Sequence, residues 1–286
     1  MTPMDRIVVL GGSGFVGQEV VAELGGPATA LRARESYIGL DARDFNDLRV
    51  KLGLWTPEVV VNCVGLADVD RAEIEPGEAD SLNRGVVENL VRLQTDMAFR
   101  LVHISTDYVF DGVQGGYTEQ DAPRPINEYG RSKLRGEEAA LRSQDSLVIR
   151  ISSPYGAGFG ARKPQFFRYV MESLRSGKSV RALTDQRVTA TYLPDLARAI
   201  VTLIERSARG LVHVGSEEPL TRFEFAQKIA GVVNANPGLV HSGLRSDMTQ
   251  WKAPRPGDTS LDVSRSKTLG VSYTPVEVAL TRLCAA

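Results

Sequence analysis

Near its N-terminus the chain reads Arg6-Ile7-Val8-Val9-Leu10-Gly11-Gly12-Ser13-Gly14-Phe15-Val16-Gly17. The first five residues form a short β-branched run, which predicts a buried strand. The glycines fit G-x-G-x-x-G or, equally, G-x-x-G-x-x-G, and a helical pattern follows to about Leu24. A tight turn between a strand and a helix lets a pyrophosphate approach backbone N–H groups. This context favours a dinucleotide-binding site over a plain glycine-rich turn.

The next predicted strand, about Ala28 to Leu31, ends in Arg32-Ala33-Arg34. A site that prefers NAD usually has Asp or Glu at that place, about 20 residues past the glycines. An arginine there can grip a 2′-phosphate with two hydrogen bonds. Arg32 and Arg34 therefore predict a preference for NADPH, with two surface arginines as the alternative. Asp41 could hydrogen-bond the adenine or initiate the helix predicted near Phe45 to Leu54.

The chain of 286 residues suits one large α/β domain or a domain with a smaller lobe. Its formal net charge of −1 gives no basic field that would attract nucleic acid or an anionic membrane. No run approaches the roughly 20 apolar residues that a membrane span needs, and no signal peptide is evident. The two cysteines, Cys63 and Cys284, lack metal-type spacing, which predicts no metal site and fits a reduced cytoplasmic setting.

Two further strands are predicted to end at the same edge of the sheet. Glu58 to Cys63 is a buried strand that runs into the small, uncharged loop Val64-Gly65-Leu66-Ala67. Leu101 to Ile104 delivers Ser105-Thr106-Asp107-Tyr108. Ligands of doubly wound sheets bind at the carboxyl ends of strands, so a hydroxyl here can donate to a substrate oxygen. His103, within its strand, is predicted to be a core residue.

Tyr129 and Lys133 lie four residues apart in a segment predicted to be helical as far as Leu141. At that spacing both side chains leave one helical face. A cation near a phenol favours the phenolate and lowers the pKa of the tyrosine from about 10. Such a tyrosine can give or take a proton at a carbonyl or alcohol oxygen. The alternative is that Tyr129 and Lys133 are simply a solvated pair on a helix surface. The strand and the hydroxyl-bearing loop that precede them make this alternative less favoured.

Together these motifs resemble an extended short-chain dehydrogenase/reductase and, more narrowly, the dTDP-4-dehydrorhamnose reductase family. The most specific is the run from Ser105 to Gly112, Ser-Thr-Asp-Tyr-Val-Phe-Asp-Gly. The others are Gly11 to Gly17, Val60 to Cys63, Val69 to Glu73, Asn127 to Glu137, and the late segment Arg255 to Asp262. The resemblance thins after about residue 156.

The resemblance implies a catalytic set of Thr106, Tyr129 and Lys133. Tyr129 would give a proton to a 4-keto oxygen that Thr106 hydrogen-bonds. Lys133 would bind the nicotinamide ribose and lower the pKa of Tyr129, and Asp107 and Tyr108 would lie near the sugar. The predicted cofactor contacts are Gly11, Gly12, Ser13, Gly14, Phe15, Val16, Gly17, Arg32, Arg34, Asp41, Cys63, Val64, Gly65, Tyr129 and Lys133.

The expected fold is a doubly wound parallel (Rossmann) sheet with a smaller C-terminal substrate lobe, and substrate would bind in the cleft between them. Residues 1–155 would bind NADP, and residues 156–286 would mainly bind substrate, with some elements returning to the first domain. In the lobe, Arg187 could meet a diphosphate or form a surface salt bridge. Arg255, in the rigid loop Ala253-Pro254-Arg255-Pro256, could bind an anion.

The expected function is NADPH-dependent reduction of a nucleotide-linked 4-keto-6-deoxy sugar, by a chain that could form a homodimer. One departure concerns the sugar, because these reductases typically carry a Trp where this chain has Ser152-Ser153-Pro154-Tyr155. A second hypothesis is an NADP-binding regulatory subunit, since the methionine adenosyltransferase β-subunit also resembles the chain. An epimerase or 4,6-dehydratase ranks third, because Asp107 is followed by Tyr108 and not by Glu.

Overall fold

The computed structural model describes residues 6–25, 40–157 and 165–285. Six of the described strands form one parallel sheet. They are β1 (Ile7–Leu10), β2 (Val59–Asn62), β3 (Arg100–Thr106), β4 (Ser146–Tyr155), β7 (Ala190–Tyr192) and β8 (Gly210–Val214). The order is β1-β2-β3-β4, and β4 then pairs with β8 along its first half and with β7 beyond Ser152.

Helices cover both faces of this sheet. Those before residue 150 are α1 (Phe15–Glu23), α2 (Phe45–Trp55), α3 (Val69–Ile74), α4 (Pro76–Asp80), α5 (Val86–Met97) and α6 (Glu128–Ala140). Those after it are α7 (Phe166–Arg175), α8 (Leu193–Glu205), α9 (Arg222–Val232), α10 (Ser264–Thr268) and α11 (Val276–Ala285).

Alternation along the strands divides the large domain into two cores. Ile7 and Val9 of β1 pack with α8 on one face, whereas Val8 and Leu10 pack with α2 and α5 on the other. Because successive side chains of a strand point to opposite faces, strands buried on both sides need nearly continuous apolar runs. The predicted doubly wound parallel sheet is confirmed.

A third core belongs to the smaller lobe. It joins Phe167 of α7, Phe225 of α9 and Leu280 of α11 to two small sheets. These sheets pair β5 (Val180–Leu183) with β10 (Val240–Gly243), and β6 (Arg187–Val188) with β9 (Leu220–Thr221). Between the lobe segments, α8 and β8 rejoin the large sheet. The assignment of cofactor to residues 1–155 and of substrate mainly to residues 156–286 stays a prediction.

Two sequence-based expectations about elements need comment. The segment predicted as a helix from Pro76 to Thr95 is helical throughout, and a π-helical turn at Ser81–Gly85 lies between α4 and α5. The strand predicted at Ala28 to Leu31, with Arg32 and Arg34, lies outside the described residues. Within the ranges that are described, no helix is both long and apolar enough to cross a membrane.

Candidate active site

The carboxyl ends of β1 and β2 meet at the glycine turn. Gly11 has φ +74°, a left-handed conformation that glycine adopts without strain. A Cβ on Gly11 would lie 2.9 Å from the amide nitrogen of Val64 and 3.0 Å from the carbonyl carbon of Cys63. The turn and the loop after β2 are therefore in backbone contact, as expected for two parts of one cofactor site.

The start of α1 fits a dinucleotide pyrophosphate. The Gly14 N-cap makes no side-chain capping hydrogen bond, so backbone N–H groups of the first turn are available to an anion. A Cβ on Gly17 would lie 2.2 Å from the carbonyl oxygen of Gly11, which means that only glycine permits this close packing. The residues present thus match what a bound NADP would require of the turn.

Asp41 does not initiate the second helix. The N-cap of α2 is Asp44, whose carboxylate accepts hydrogen bonds from the backbone N–H groups of Asn46 and Asp47. Asp41 is exposed and binds the Arg43 guanidinium, which holds its pKa below the usual range. A contact between Asp41 and adenine stays a prediction, as do the roles of Arg32 and Arg34.

Helix α6 approaches the sheet edge unusually closely because of two glycines. A Cβ on Gly130 would lie 2.1 Å from the carbonyl oxygen of Tyr108, and one on Gly136 would lie 2.2 Å from that of Asn83. The Asn127 side chain caps the helix by accepting a hydrogen bond of 2.8 Å from the Gly130 amide. This cap and these contacts fix the position of Tyr129 in the first turn.

Tyr129 lies beside a buried network of hydroxyl groups and one carboxylate. Its phenol lies beside the Thr106 hydroxyl, which donates a hydrogen bond of 3.2 Å to an Asp107 carboxylate oxygen. The other oxygen of Asp107 accepts hydrogen bonds from Ser152 at 2.8 Å and from Thr259 at 2.5 Å. The predicted Thr106, Asp107 and Tyr129 are brought together, and Tyr108 packs edge-on against Tyr129 with ring centroids 5.8 Å apart.

The prediction that Lys133 lowers the pKa of Tyr129 was wrong for this structure. Burial of the phenol raises its pKa, and the neighbouring Thr106 hydroxyl opposes that rise only in part. The charge of Asp107 and the neighbouring Tyr108 raise the pKa further. Tyr129 is therefore protonated at neutral pH, the state that a proton donor to a keto oxygen needs.

Lys133 is instead bound to β3. Its ammonium nitrogen lies 2.6 Å from the Ile104 carbonyl oxygen and 3.5 Å from His103 Nε2. The side-chain oxygen of Asn62 accepts a hydrogen bond from the Val64 backbone amide. The other end of the Asn62 side chain is therefore its NH₂ group, which donates to His103 Nδ1. This leaves the imidazole proton on Nε2, facing Lys133. His103 is buried, as predicted, but it also contacts Lys133.

Asn83, in the π-helical turn, links the loop after β2 to helix α6. Its carbonyl oxygen accepts a hydrogen bond from the Leu66 amide at 2.8 Å. Its NH₂ group donates to the Leu66 carbonyl at 3.2 Å and to the Ser132 hydroxyl at 2.9 Å. Gly65, whose added Cβ would lie 3.8 Å from the Lys133 nitrogen, is thereby held beside the lysine. π-helical turns within α-helices often occur at functional sites.

The two predicted anion-binding arginines are already paired with carboxylates. Arg187 forms ion pairs with Glu224 at 3.5 Å and Asp258 at 3.9 Å, which matches the salt-bridge alternative. Arg255 pairs with Asp70 at 3.0 Å, and its guanidinium lies over the Trp251 ring.

Sequence reasoning missed several residues that surround the site. They are Asn62, Asn83, Ser152, Thr259, Gln186 and Arg222. Asn62, Ser152 and Thr259 lie in segments that the sequence analysis had singled out, but no role was predicted for them. No local pattern identifies Asn83, Gln186 and Arg222, because their partners lie elsewhere in the sequence.

Several known proteins are similar to this chain over most of its length. The family described as RmlD substrate binding domain matches residues 4–286. A probable low-salt glycan biosynthesis reductase of Haloferax volcanii is 36% identical over 251 residues, covering 86% of this chain and 83% of that protein. A dTDP-4-dehydrorhamnose reductase of Mycolicibacterium smegmatis is 32% identical over 273 residues, covering 93% of this chain and 81% of that protein.

Two further similarities bear on cofactor and on class of function. The crystal structure of dTDP-4-dehydrorhamnose reductase from Bacillus anthracis in complex with NADP has a TM-score of 0.86 and 27% identity, covering 97% of this chain and 98% of that one. A methionine adenosyltransferase 2 subunit beta of Rattus norvegicus is 30% identical over 293 residues, covering 97% of this chain and 86% of that protein.

Proposed function

The chain belongs to the RmlD substrate binding domain family of extended short-chain dehydrogenases/reductases, and from that premise we propose that it reduces a nucleotide-linked 4-keto-6-deoxy sugar with NADPH. The resemblance predicted from the motifs is thereby confirmed. The observation that carries the proposal is the placement of the Tyr129 phenol beside the Thr106 hydroxyl and the buried Asp107 carboxylate, where β3 ends.

In the proposed mechanism, this chain supplies orientation and a proton. Tyr129 is protonated at neutral pH, as a tyrosine with a pKa of about 10 or above is, and it gives its proton to the keto oxygen. Asp107, held by Ser152 and Thr259, accepts a hydrogen bond from the Thr106 hydroxyl before substrate binds, and Thr106 turns that hydrogen bond to the keto oxygen when substrate is present. Lys133 binds the nicotinamide ribose. When bound, NADPH supplies the hydride.

Cofactor selection is assigned to the start of the chain. The glycine turn at residues 11–17 binds the pyrophosphate, and Cys63, Val64 and Gly65 line the site from the loop after β2. Arg32 and Arg34 read the 2′-phosphate, which would make NADPH the preferred cofactor. The cytoplasm as the compartment and a homodimer as the assembly are further proposals, which cell fractionation and sedimentation velocity would test.

The test is oxidation of NADPH and NADH on freshly generated dTDP-4-keto-6-deoxyhexoses. We expect rapid, sugar-dependent oxidation of NADPH and slower oxidation of NADH. The Tyr129→Phe variant should lose turnover by at least ~100-fold, the contribution of general acid catalysis, while it still binds NADPH. Retained turnover in that variant would remove Tyr129 from the role of proton donor.

A regulatory subunit is the second candidate, favoured by the similarity to a methionine adenosyltransferase subunit beta. It predicts tight NADPH binding without oxidation of NADPH on any of these sugars. It also predicts a partner enzyme that copurifies at a fixed ratio. Sugar-dependent turnover by the purified chain alone would eliminate this candidate.

A further inference from the structure

Arg222 and Arg255 lie near Tyr108, and Arg187 follows Gln186, which hydrogen-bonds the Tyr108 phenol. Two of these three arginines have acidic partners. Arg187 is paired with Glu224 and Asp258, and Arg255 with Asp70. In the described ranges, the Arg222 guanidinium has no carboxylate oxygen within 4.0 Å, which is the distance limit for an ion pair. Arg222 is therefore the cation of this region whose charge is available to a ligand.

Arg222 is fixed in position by neutral groups. It is the first residue of α9, and its Nη1 donates a hydrogen bond of 2.5 Å to the Ser153 hydroxyl. Its Nε donates to the Gln186 side-chain carbonyl at 3.3 Å, and the guanidinium carbon lies 5.0 Å from the centre of the Phe166 ring. An arginine held this way loses little conformational freedom on binding a ligand, because its fork is already oriented.

The surroundings of Arg222 are unfavourable for an unneutralised charge. Burial lowers its pKa, and only the more distant Tyr108 and Asp107 act in the opposite direction. An arginine remains charged even so. A partly buried cation that is bonded only to neutral acceptors costs free energy, and ionisable groups in such surroundings are frequent at functional sites.

The residue that receives the Arg222 hydrogen bond is itself strained. Ser153 has φ +42°, which is uncommon for a residue other than glycine. The β4–β7 register shifts between Ser152 and Tyr155, so an irregularity of the strand turns Ser153 out of the ladder. Backbone strain of this kind is concentrated at ligand sites, and here it places the Ser153 hydroxyl against the guanidinium.

A chain of side chains connects Arg222 to the proposed proton donor. Gln186 accepts from Arg222 and donates to the Tyr108 phenol at 3.2 Å. The Tyr108 ring packs against Tyr129. In a nucleotide sugar, the phosphates are attached at the anomeric carbon, across the ring from C4. A cation separated from Tyr129 by two side chains is thus suitably placed for a phosphate when the 4-keto group meets Tyr129.

We propose that Arg222, oriented by Ser153 and Gln186, binds a phosphate oxygen of the nucleotide-linked substrate, a role that the sequence had suggested for Arg187 or Arg255. The choice of ligand rests on the proposed function, but the binding itself does not require turnover. The same chemistry could serve a phosphate of NADPH, so the experiment measures both ligands.

The test is the affinity of purified wild type and variants for dTDP, UDP and NADPH, by isothermal titration calorimetry. We expect Arg222→Gln to weaken the binding of dTDP and UDP by about 10- to 100-fold, which is the effect of losing a charge-assisted hydrogen bond. NADPH affinity should change by less than about 3-fold. Arg181→Gln, which removes an equal charge from an exposed position on β5, should leave all three affinities unchanged.

Four outcomes would overturn the inference. One is wild-type dTDP affinity in Arg222→Gln, and another is the absence of dTDP and UDP binding by the wild type at millimolar concentration. The third is a loss of dTDP affinity in Arg187→Gln without a loss in Arg222→Gln. The fourth is a loss of NADPH affinity in Arg222→Gln, which would assign the arginine to the cofactor.

A second variant keeps the test valid if Arg222→Gln does not fold. Arg222→Lys retains the charge but not the fork, so dTDP affinity should fall by about 3- to 10-fold, and an unchanged affinity would count against the inference. The reductase assay could fail while dTDP binding still depends on Arg222. That result would contradict the proposed sugar reduction but would support the phosphate site.

Discussion

Lys133 has the most unfavourable environment of the three proposed catalytic residues. Its side chain is 6% exposed, and burial lowers its pKa to about 8, although Glu137 and Cys63 act in the opposite direction. The His103 N–H that faces the amine adds no acceptor. An unfolded lysine has a pKa of about 10.4, so the folded state binds the proton less tightly than the unfolded state does.

Replacing Lys133 by Met should therefore change stability in a way that depends on pH. Below about pH 8 the ammonium is present in both states and destabilises the folded one. From about pH 8 to 10.4 the unfolded state binds more protons, so wild-type stability rises with pH relative to Lys133→Met. Urea unfolding of both proteins at about pH 7 and about pH 9.5 would measure this change.

Lys228→Met is the matched control for that experiment. Its amine is paired with Glu277 and Glu218 near the surface, and the hydrogen bond to Glu277 raises its pKa. The difference between wild type and Lys228→Met should stay constant over this pH range. A constant difference for Lys133→Met as well would show that its pKa is not depressed.

At the scale of single residues, spacing alone could predict part of this site. Tyr129 and Thr106 were expected together because a strand end and a helix start share one sheet edge. The partners of Lys133 could not be predicted, because Ile104 and His103 meet it only through the register of β3 against α6. The pKa of Tyr129 depends on burial, which the spacing of residues 129 and 133 does not reveal.

The π-helical turn between α4 and α5 places Asn83 where a regular helix would not hold it. Its three hydrogen bonds reach Leu66, 17 residues away, and Ser132, 49 residues away. Asn83→Ala would leave the buried Leu66 amide without its acceptor. We expect a loss of about 2–4 kcal/mol in unfolding free energy and weaker NADPH binding, because the loop at Gly65 would lose its support.

Urea unfolding and NADPH titration would measure these two effects. Asn83→Asp keeps an acceptor for the Leu66 amide and should recover part of the stability. The control is Asn89→Ala in the adjoining helix α5, whose NH₂ group reaches the Ala42 and Arg43 carbonyls in a less buried position. If Asn83→Ala bound NADPH as tightly as Asn89→Ala, Asn83 would have no part in the cofactor site.

At the scale of elements, local signals were the ones that could be predicted. The capping box of Thr221 and Glu224, which opens α9, is such a signal, since both partners lie within four residues. The π-helical turn at Ser81–Gly85 could not be predicted, because the Asn83 side chain within it bonds a loop and a helix that are distant in sequence. The doubly wound parallel sheet was predictable from alternating apolar runs and helices.

At the scale of the molecule, a loop of the C-terminal segment anchors itself to the first domain. The carboxylate of Asp70, on α3, accepts hydrogen bonds from the Lys252 and Ala253 amides at 2.9 and 3.2 Å and pairs with Arg255. The NH₂ group of Asn127, whose side-chain oxygen caps α6, donates to the Pro254 carbonyl. The loop therefore connects the lobe to the helix that carries Tyr129.

Asp70→Asn should weaken this connection and show a defined pH dependence. Burial alone would raise the pKa of Asp70, but the two amides and the Arg255 guanidinium outweigh it and hold the pKa below its usual range. The stabilisation is thus complete above about pH 4 and is lost as pH falls through the folded-state pKa. We expect Asp70→Asn to cost about 1–3 kcal/mol at neutral pH and progressively less in acid.

The control for the anchoring loop is Lys267→Met, which removes an exposed ion pair with Glu217 and should cost less than about 1 kcal/mol. Equilibrium unfolding at about pH 7 and about pH 3, with turnover measured at neutral pH, separates the two roles of the loop. Turnover should fall in Asp70→Asn, because the Asn127 cap loses a fixed partner and Tyr129 follows the cap. A loss of stability with unchanged turnover would show that the loop holds the lobe without positioning the catalytic helix.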